Sequence, residues 1–594
     1  MTNLQGTYQR SFQTDWKGRP FVGNDQGHYT RNSPVHAPDV AERHAYLVGA
    51  GIASLTAAGF LVRDAGMPAG NITILESSDI AGGSFDGGGN VEEGFIARGG
   101  REMGQHFECF WDIMKDVPAL ELPGHSVLDE FRLTNENDPN RARTRIIHDR
   151  GVPRDAHDMG LNRKGQLAVV RLLLAKESQT WGRTIEDWFD EDFLHSTFYT
   201  LWKTMFAFEE YESLTEMKRY LHRFLQYLPG FPDFSCLRFS RYNQFESFIL
   251  PLRTWLTDQG VQFRYDTVVE DLDIDISPTR KVVRALRVRH HDGSTDSIPV
   301  GERDVVLVTN GSCTEATTYG DMDHVAPYTR NPGGDCWTLW RNLAAKSADF
   351  GRPEVFSSDT DKTLWISVSF NFIGRDHPFL RRIQELSGND PLAGRTVTGG
   401  IITAEDSSWC CSLTMNRQPQ FRAQPSDWGV AWAYGLYPFA VGDCVRKPMV
   451  ECTGEEILKE FCFHFGLIDE FDEIRAHTKV RTAAMPYITA FFMPRTAGDR
   501  PEVVPHGCVN LGFLGQFVET PDDCIFTTEG SARTAMMAVY QLMDVDRDIP
   551  PIFPAQYDIR ALLHSGSVLA GGKLPGEWLL RRLLGRTYYA DILP

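Results

Sequence analysis

The rhythm of apolar and polar positions changes sharply at residue 44. Residues 1–43 are polar and rich in Gly, Pro and Asn, and read as an irregular N-terminal arm. Ala45–Val48 is then a short unbroken apolar run closed by Gly49 and Gly51, the pattern of a buried strand. Residues 52–64 carry apolar side chains at helical spacing. They stop at Gly66, with Pro68 just beyond, the usual punctuation of a helix end. "NITILESSD" at 71–79 reads as a second strand. Strand, helix and strand in that order predict a β-α-β unit opening a parallel sheet.

Further along, residues 181–228 show the aromatic and leucine spacing of packed helices. Residues 260–310 alternate strands and turns and end in a buried strand at 305–308. Residues 335–500 are mixed and rich in Trp and Phe, and 509–543 repeats strand, loop and helix. The last stretch, "GEWLLRRLLGRTYYADILP", is apolar with arginines interleaved. Composition changes this picture little. The chain has 594 residues, enough for several domains, with 42% hydrophobic and 23% charged residues, ordinary for globular proteins. Charge and cysteines say more. A net charge of -19 argues against nucleic acid as a partner. The 11 cysteines include no C-x-x-C pair, so free thiols, a reducing compartment and no zinc site are expected. Residues 1–20 lack an apolar signal core, and no run of about 18 apolar residues appears, so the expected location is the cytoplasm.

The first candidate chemistry is a dinucleotide fingerprint. Gly49-Ala50-Gly51-Ile52-Ala53-Ser54 follows the first strand, opens the helix, and is answered by Glu76 at the end of the second strand. Gly49 makes the turn. Gly51 lets the backbone reach a pyrophosphate at the helix N-terminus, flanked by Ile52 and Ala53. Ser54 replaces the third glycine, and Glu76 is placed to accept ribose hydroxyls. The continuation "LESSDIAGGSFDGG" is similar to the E-x-x-D-x-x-G-G extension of flavin-dependent proteins, with Gly83 and Ser84 against the phosphates and ribityl chain, and favours FAD over NAD. "FTTEGSARTAM" supplies a second helix start, with Thr527 and Thr528 as candidate caps, and flavoproteins of this kind aim such an N-terminus at the flavin, so Thr528 is an expected cofactor contact.

These elements predict an α/β fold: a discontinuous Rossmann-like FAD domain, a mixed α+β substrate domain and a helical C-terminal region. The expected boundaries are 1–43 for the arm, 44–135, 235–330 and 501–545 for the FAD domain, 136–234 for a helical lid, 331–500 for the substrate domain and 546–594 for the C-terminal region.

Three short stretches carry polar groups in unusual company. "ARGGREMGQHFECFW" sets Gly99 and Gly100 between Arg98 and Arg101, followed by Glu102 and Met103. The glycines would let backbone lie against the flavin, with Met103 packed on a ring system. Glu102 is either a group at the flavin edge or an arginine-paired structural carboxylate, and its residues alone favour the second. "LRFSRYNQFES" holds Tyr242 beside Arg241, a core tyrosine or a proton donor. "CCSLTMNRQPQF" places Thr414, Asn416 and Gln420 in an apolar stretch, where they bind a carboxylate head group or satisfy backbone. His106 and His324 stand in no spacing that marks a catalyst, and no metal motif appears.

At these same motifs the chain resembles the oleate hydratases, the myosin-cross-reactive antigen family. The likeness runs through "RGGREM", "TMFAFEEYESLTEMKRYLHRF", "LRFSRYNQFES", "TNGS", "LTMNRQPQF", "RKPMVECTGEEI", "MPYITAFFMPRTAGDRP" and "LGQFVETPDDCIFTTEGSARTAM", nearly the whole chain from residue 43. The resemblance implies addition of water to the cis-9 double bond of oleate, giving 10-hydroxystearate. It implies Glu102 as the residue that positions and activates water, Tyr242 as the proton donor, Ser312 of "TNGS" among the FAD contacts, and Thr414 and Asn416 at the substrate carboxylate. Gln420 stands where the family pattern has histidine, and Gly530 where it has a bulkier aromatic. Adding water is redox-neutral, so FAD need not cycle, and a reduced, anionic flavin would stabilise developing positive charge. The resemblance also implies a homodimer. The basic amphipathic terminus, with Trp578, Leu579 and Leu583 among Arg581, Arg582 and Arg586, fits either a membrane surface or a neighbouring domain. The alternatives kept are a flavin oxidoreductase of the amine-oxidase or desaturase type and a non-catalytic fatty-acid carrier.

Overall fold

The computed structural model describes residues 36–594 except 86, 101, 522, 573, 575, 586–592 and 594. Most of the N-terminal arm, Arg101 and Arg586 therefore lie outside the described residues.

Two sheets organise the chain. The first is parallel, in the order Leu511–Leu514, Val305–Thr309, Ala45–Val48, Ile72–Leu75, Gln262–Arg264. Ala45 stands opposite Val305 on one side and Ile72 on the other, and all pairings are parallel. Four of the strands are covered on both faces, which is why they are mostly apolar rather than alternating, while the edge strand Gln262–Arg264 is polar and partly exposed. The helix Ile52–Arg63 is buried from Ile52 to Leu61 because it is enclosed by the sheet and by helices Glu108–Met114 and Thr528–Leu542. A Cβ on Gly59 would stand 2.9 Å from Ile113, so this glycine permits the close approach of one helix. An antiparallel meander, Thr267–Ser277, Arg280–His290 and Thr295–Pro299, flanks the sheet.

The second sheet has eight strands, in the order Thr318–Asp321, Thr478–Met485, Trp365–Ile373, Trp428–Gly435, Ser412–Thr414, Ile402–Ala404, Ile146–His148, Val152–Arg154. Trp365–Ile373 alternates strictly. Ile366, Val368, Phe370 and Phe372 enter the core shared with helices Pro378–Ser387 and Gly454–His464. Ser367, Ser369 and Asn371 face the other way and hold a short strand, Gly94–Ala97, on the sheet surface. Ala97 donates its N–H to Ser369 (3.0 Å), and Asn371 both accepts from and donates to Phe95 (2.8 and 2.9 Å). The polar residues of a doubly buried strand thus fix the approach of the segment that continues into Arg98-Gly99-Gly100.

The β-α-β opening, the 305–308 strand and the helices within 181–228 lie where the apolar pattern puts them. The expected domain divisions are crossed in two places. Ile146–His148 and Val152–Arg154, inside the expected helical lid, extend the second sheet. Thr318–Asp321, inside the expected FAD part, pairs with Thr478–Met485. The crossing strands are short, three or four residues each, and too brief to show a period.

Candidate functional site

A cavity of about 400 Å³ opens at the carboxyl ends of the parallel strands, at Val48, Leu75, Thr309 and Gly515. Gly49, Gly51, Ile52, Ala53, Glu76, Gly83, Ser84, Ser312 and Thr528 all line it. Its floor is bare backbone. Gly83 has φ +57°, a conformation side chains avoid, and an added Cβ would stand 3.2 Å from the Cα of Gly51. The two glycines touch, which explains the pair of motifs that supply them. Helix Ile52–Arg63 starts at Gly51 with no side-chain cap and no acidic residue in its first turn. Its leading N–H groups and the positive end of its dipole therefore point at the cavity. The helix Thr528–Leu542 starts there too, capped by Thr527, whose hydroxyl accepts from Gly530 N–H (2.9 Å). Arg98 adds a cation at the rim and donates to the Gly83 carbonyl (2.8 Å).

Two members of the fingerprint are engaged with the protein itself. Ser54 does not line the cavity; its hydroxyl pairs with that of Thr309 at 3.1 Å and ties helix to strand, where a third glycine would merely allow contact. Glu76 lines the cavity, accepts from Ala50 N–H (2.6 Å) and Ser78 N–H (3.0 Å), and thereby fixes the turn. Gly530 opens no room toward the cavity. Its missing side chain would meet the Cys524 carbonyl and the Thr527 hydroxyl, each at 3.2 Å. Beside it Glu529 is buried, accepts from Cys109 and Phe110 N–H groups (3.2 and 3.0 Å) and pairs with Arg533 (2.8 Å). Burial pushes its carboxyl up to about 7.

Glu102 stands at the edge of this cleft. It lines two small cavities, of about 60 and 40 Å³. The larger is walled by Phe107, Phe206, Tyr220 and Phe224, the smaller by Trp365, Ile401, Trp432 and Ile488, and Met205 and Phe526 border both. Phe526 lines all three spaces and Thr528 the cleft and the larger cavity, so the Glu102 cavities meet the cleft at Phe526. Met103 is fully buried, pairs through its backbone with Arg238, and accepts the Thr528 hydroxyl on its sulfur at 3.8 Å. Gly99 and Gly100 were expected against the flavin. The structure places both beside Glu102 in the smaller cavities, and a Cβ on Gly100 would stand 2.9 Å from the Trp432 ring. Here glycine makes room for an indole.

The remaining candidates gather elsewhere. Tyr242 follows a bend rather than lying in a strand, and its hydroxyl donates to Glu121 at 2.9 Å. Burial and Glu121 push its phenol above the ordinary range. The structure thus does not bring Tyr242 to the cavities of Glu102. Asn243 donates both backbone and side-chain N–H to the Gln420 carbonyl (2.8 and 3.1 Å), which joins the tyrosine loop to the 416–422 loop. Gln420 is buried, with its side-chain oxygen unbonded. Thr414 is the exception: its hydroxyl meets Thr398 at 3.2 Å and its methyl lies beside Gly100. Asn416 is half-buried. His106 is buried against Glu108 (2.9 Å) and stacked on Phe553, and His324 is exposed beside Asp321.

Sequence reasoning missed Arg145. It is 2% exposed, donates to the carbonyls of Ile401 (3.0 Å) and Phe231 (2.7 Å), sits over the Phe234 ring at 4.4 Å, and keeps one guanidinium nitrogen without a hydrogen bond. Burial pulls its guanidinium down to about 10, while Cys236, Tyr434 and Glu102 act against that fall. No motif announces it, since its only signal is an arginine in an apolar fold position.

A glycine-floored cleft at the carboxyl ends of a parallel sheet, beside apolar cavities under a second sheet, defines an α/β protein with the Rossmann-like fold. The solved structure of cyclohexylamine oxidase from Brevibacterium oxydans IH-35A shares this fold, with a TM-score of 0.50 and 13% identity over 84% of this chain and 99% of that one. The chain belongs to the MCRA family, which it matches over residues 42–540. It is 42% identical over 543 residues to the oleate hydratase of Streptococcus pyogenes serotype M49 (strain NZ131), covering 90% of this chain and 91% of the relative. It is 28% identical over 540 residues to the linoleate hydratase of Lactiplantibacillus plantarum, covering 85% and 94%.

Proposed function

We propose that this protein is a fatty acid hydratase that holds FAD in the glycine-floored cleft and adds water to the cis-9 double bond of oleate, or a similar unsaturated acid, giving the 10-hydroxy product. One observation carries the reading: Glu102 lines aromatic cavities that meet the dinucleotide cleft through Phe526 and Thr528. The cleft fits the cofactor because uncapped N–H groups at Gly51 and the Arg98 guanidinium suit a pyrophosphate, and the touching backbones of Gly51 and Gly83 admit close approach. When bound, reduced FAD would supply negative charge that stabilises developing positive charge.

The chemistry asks little else. An isolated alkene is a weak base, so one carbon takes a proton as the other gains positive charge. Water attacks that second carbon, and Glu102 accepts the proton water gives up. The walls of Phe, Trp and Met exclude other nucleophiles and face a developing cation with aromatic rings. Tyr242 is the proton donor in this reading, which requires its hydroxyl to leave Glu121 and the 240–243 loop to turn inward. Thr414, Asn416 and Gln420 take the carboxylate end of the substrate. The exposed Trp578, Leu579 and Leu583 on helix Glu577–Leu584, with Arg581 and Arg582 beside them, would rest on an anionic lipid surface that delivers substrate. No helix among the described residues is long and apolar enough to cross a membrane. A homodimer in the cytoplasm completes the reading.

Incubating the protein with oleate and FAD in ¹⁸O-labelled water tests it. A hydroxy acid carrying the label is the expected product. A flavin that bleaches while the lipid is oxidised would point to an oxidoreductase, and unchanged bound lipid to a carrier; either result defeats the proposal.

A further inference from the structure

On the far face of the second sheet from Glu102, helix Gly454–His464 packs Ile457, Leu458 and Phe461 into the second core. Glu460 and His464, four residues apart, share one side of its last turns. Both are buried, at 0% and 3% exposure. The neighbouring loop brings Asp443 to them, and one ligand atom from each of the three residues lies within 4.8 Å of the others.

The carboxylates are held as anions and in place. Glu460 accepts N–H groups from Asp443 (2.6 Å), Cys444 (3.0 Å) and Val445 (2.9 Å). Asp443 accepts the backbone N–H and hydroxyl of Ser408 (2.8 and 2.7 Å). His464 is the group these bonds leave unserved. Its Nε2 lies 3.2 Å from Asp443 Oδ2 and 3.4 Å from Glu460 Oε1, yet forms a hydrogen bond of acceptable geometry with neither. Behind it, Asp406 lies 3.8 Å from Nδ1, the side from which a carboxylate orients a metal-ligating imidazole.

A tetrahedral ion with bonds of about 2.0–2.1 Å sets neighbouring donors about 3.3 Å apart. That is the spacing of Nε2 to each oxygen. A nitrogen aligned with neither oxygen but near both serves a cation between them better than it serves a proton. One imidazole with two carboxylates selects a borderline transition ion over Ca²⁺ or Mg²⁺. We propose that Asp443, Glu460 and His464 bind one zinc-class divalent cation, which clips the loop around residues 441–448 to the helix. Asp443, 29% exposed at its side chain, leaves the fourth position reachable by water. The proposed site uses no cysteine, so cysteine spacing does not bear on it.

The full-length protein with FAD, stripped by chelator and dialysed, is titrated with Zn²⁺ alone and followed by calorimetry and metal analysis. The expected result is one zinc per chain. Co²⁺ in its place should give visible d–d bands of a four-coordinate nitrogen and oxygen centre. His464→Asn and, separately, Asp443→Asn should weaken uptake at least about tenfold with flavin content unchanged. Glu460 is left intact because it holds three backbone N–H groups. The proposal fails if the wild type takes up no stoichiometric zinc. It also fails if both variants bind as the wild type does, or if cobalt shows thiolate charge-transfer bands.

Discussion

The dinucleotide cleft and the Glu102 cavities adjoin, yet they are built by opposite means. The cleft is backbone: Gly49, Gly51 and Gly83, two helix N-termini and the ends of parallel strands. Its floor is set by φ angles and N–H groups rather than by side-chain shape. The cavities are side chains, with Met205, Trp365, Ile401, Trp432 and Phe526 brought together from five distant segments. A backbone site accepts a cofactor common to many chains. A side-chain site decides which substrate and which reaction, so substitutions in the two should separate cofactor binding from chemistry.

The largest expected effect is in the side-chain site. Glu102→Gln keeps the shape and removes the base, so hydration of oleate should fall about 10²–10⁴-fold. The Kd for FAD, read from quenching of flavin fluorescence, should stay within about twofold. Equal losses of FAD and activity would erase the distinction between the regions. In the cleft the order reverses. Gly83→Ala places a side chain at φ +57°, with its Cβ 3.2 Å from Gly51 Cα, so the backbone must move. FAD affinity should weaken about tenfold or more, and activity should return at saturating FAD.

Arg145→Met tests the boundary between the regions. The guanidinium is buried near Glu102, and each group's charge favours the other's. Losing the cation should lower kcat by about tenfold with the FAD Kd unmoved. The acidic limb of the pH–rate profile should also move to higher pH, because a carboxylate relieved of a nearby cation holds its proton more tightly. A drop in kcat without movement of that limb would make Arg145 a packing residue only.

What was legible in the sequence follows the same division. The β-α-β opening and the cleft could be read because glycine has few substitutes at the positive φ of Gly49 and Gly83, and because an apolar run bounded by glycines has one common meaning. Glu102 could be named as a candidate, but its residues alone favoured an ion pair; family resemblance supplied its role. The docking of Gly94–Ala97 by Ser369 and Asn371 was illegible, since polar residues in a buried strand carry no mark of their partner. So were Arg145 and the cluster of Asp443 with Glu460 and His464, where helix spacing pairs the last two but only tertiary packing brings Asp443 to them. Gly100 was read as room for a cofactor and the structure shows Trp432 packed against it, because sequence shows that a glycine is needed without showing what approaches it.

The smallest expected effect concerns the sheet that roofs the cavities. His377 is buried and caps helix Pro378–Ser387: Nδ1 accepts the Phe379 N–H at 3.2 Å, while Nε2 faces the Thr478 hydroxyl at 3.1 Å. Burial pulls its imidazole down from 6.5 to about 4, with His477 and Arg381 acting in the same direction. A base with a depressed folded pKa favours its neutral form. Its contribution to stability is therefore complete above about pH 6.5 and is lost as pH falls toward 4, up to about 3 kcal/mol over that window. Protonation at Nδ1 also removes the cap. Asn at this position caps without titrating. His377→Asn should therefore match the wild type in urea unfolding at pH 7 within about 1 kcal/mol and lose less stability on acidification to pH 4.5. FAD affinity of the folded protein should be indifferent to the change, since no part of the cleft rests on this helix. If wild type and variant lose stability in parallel, the acid sensitivity lies in other groups, and the side-chain-built half is no more fragile to acid than the glycine-built one.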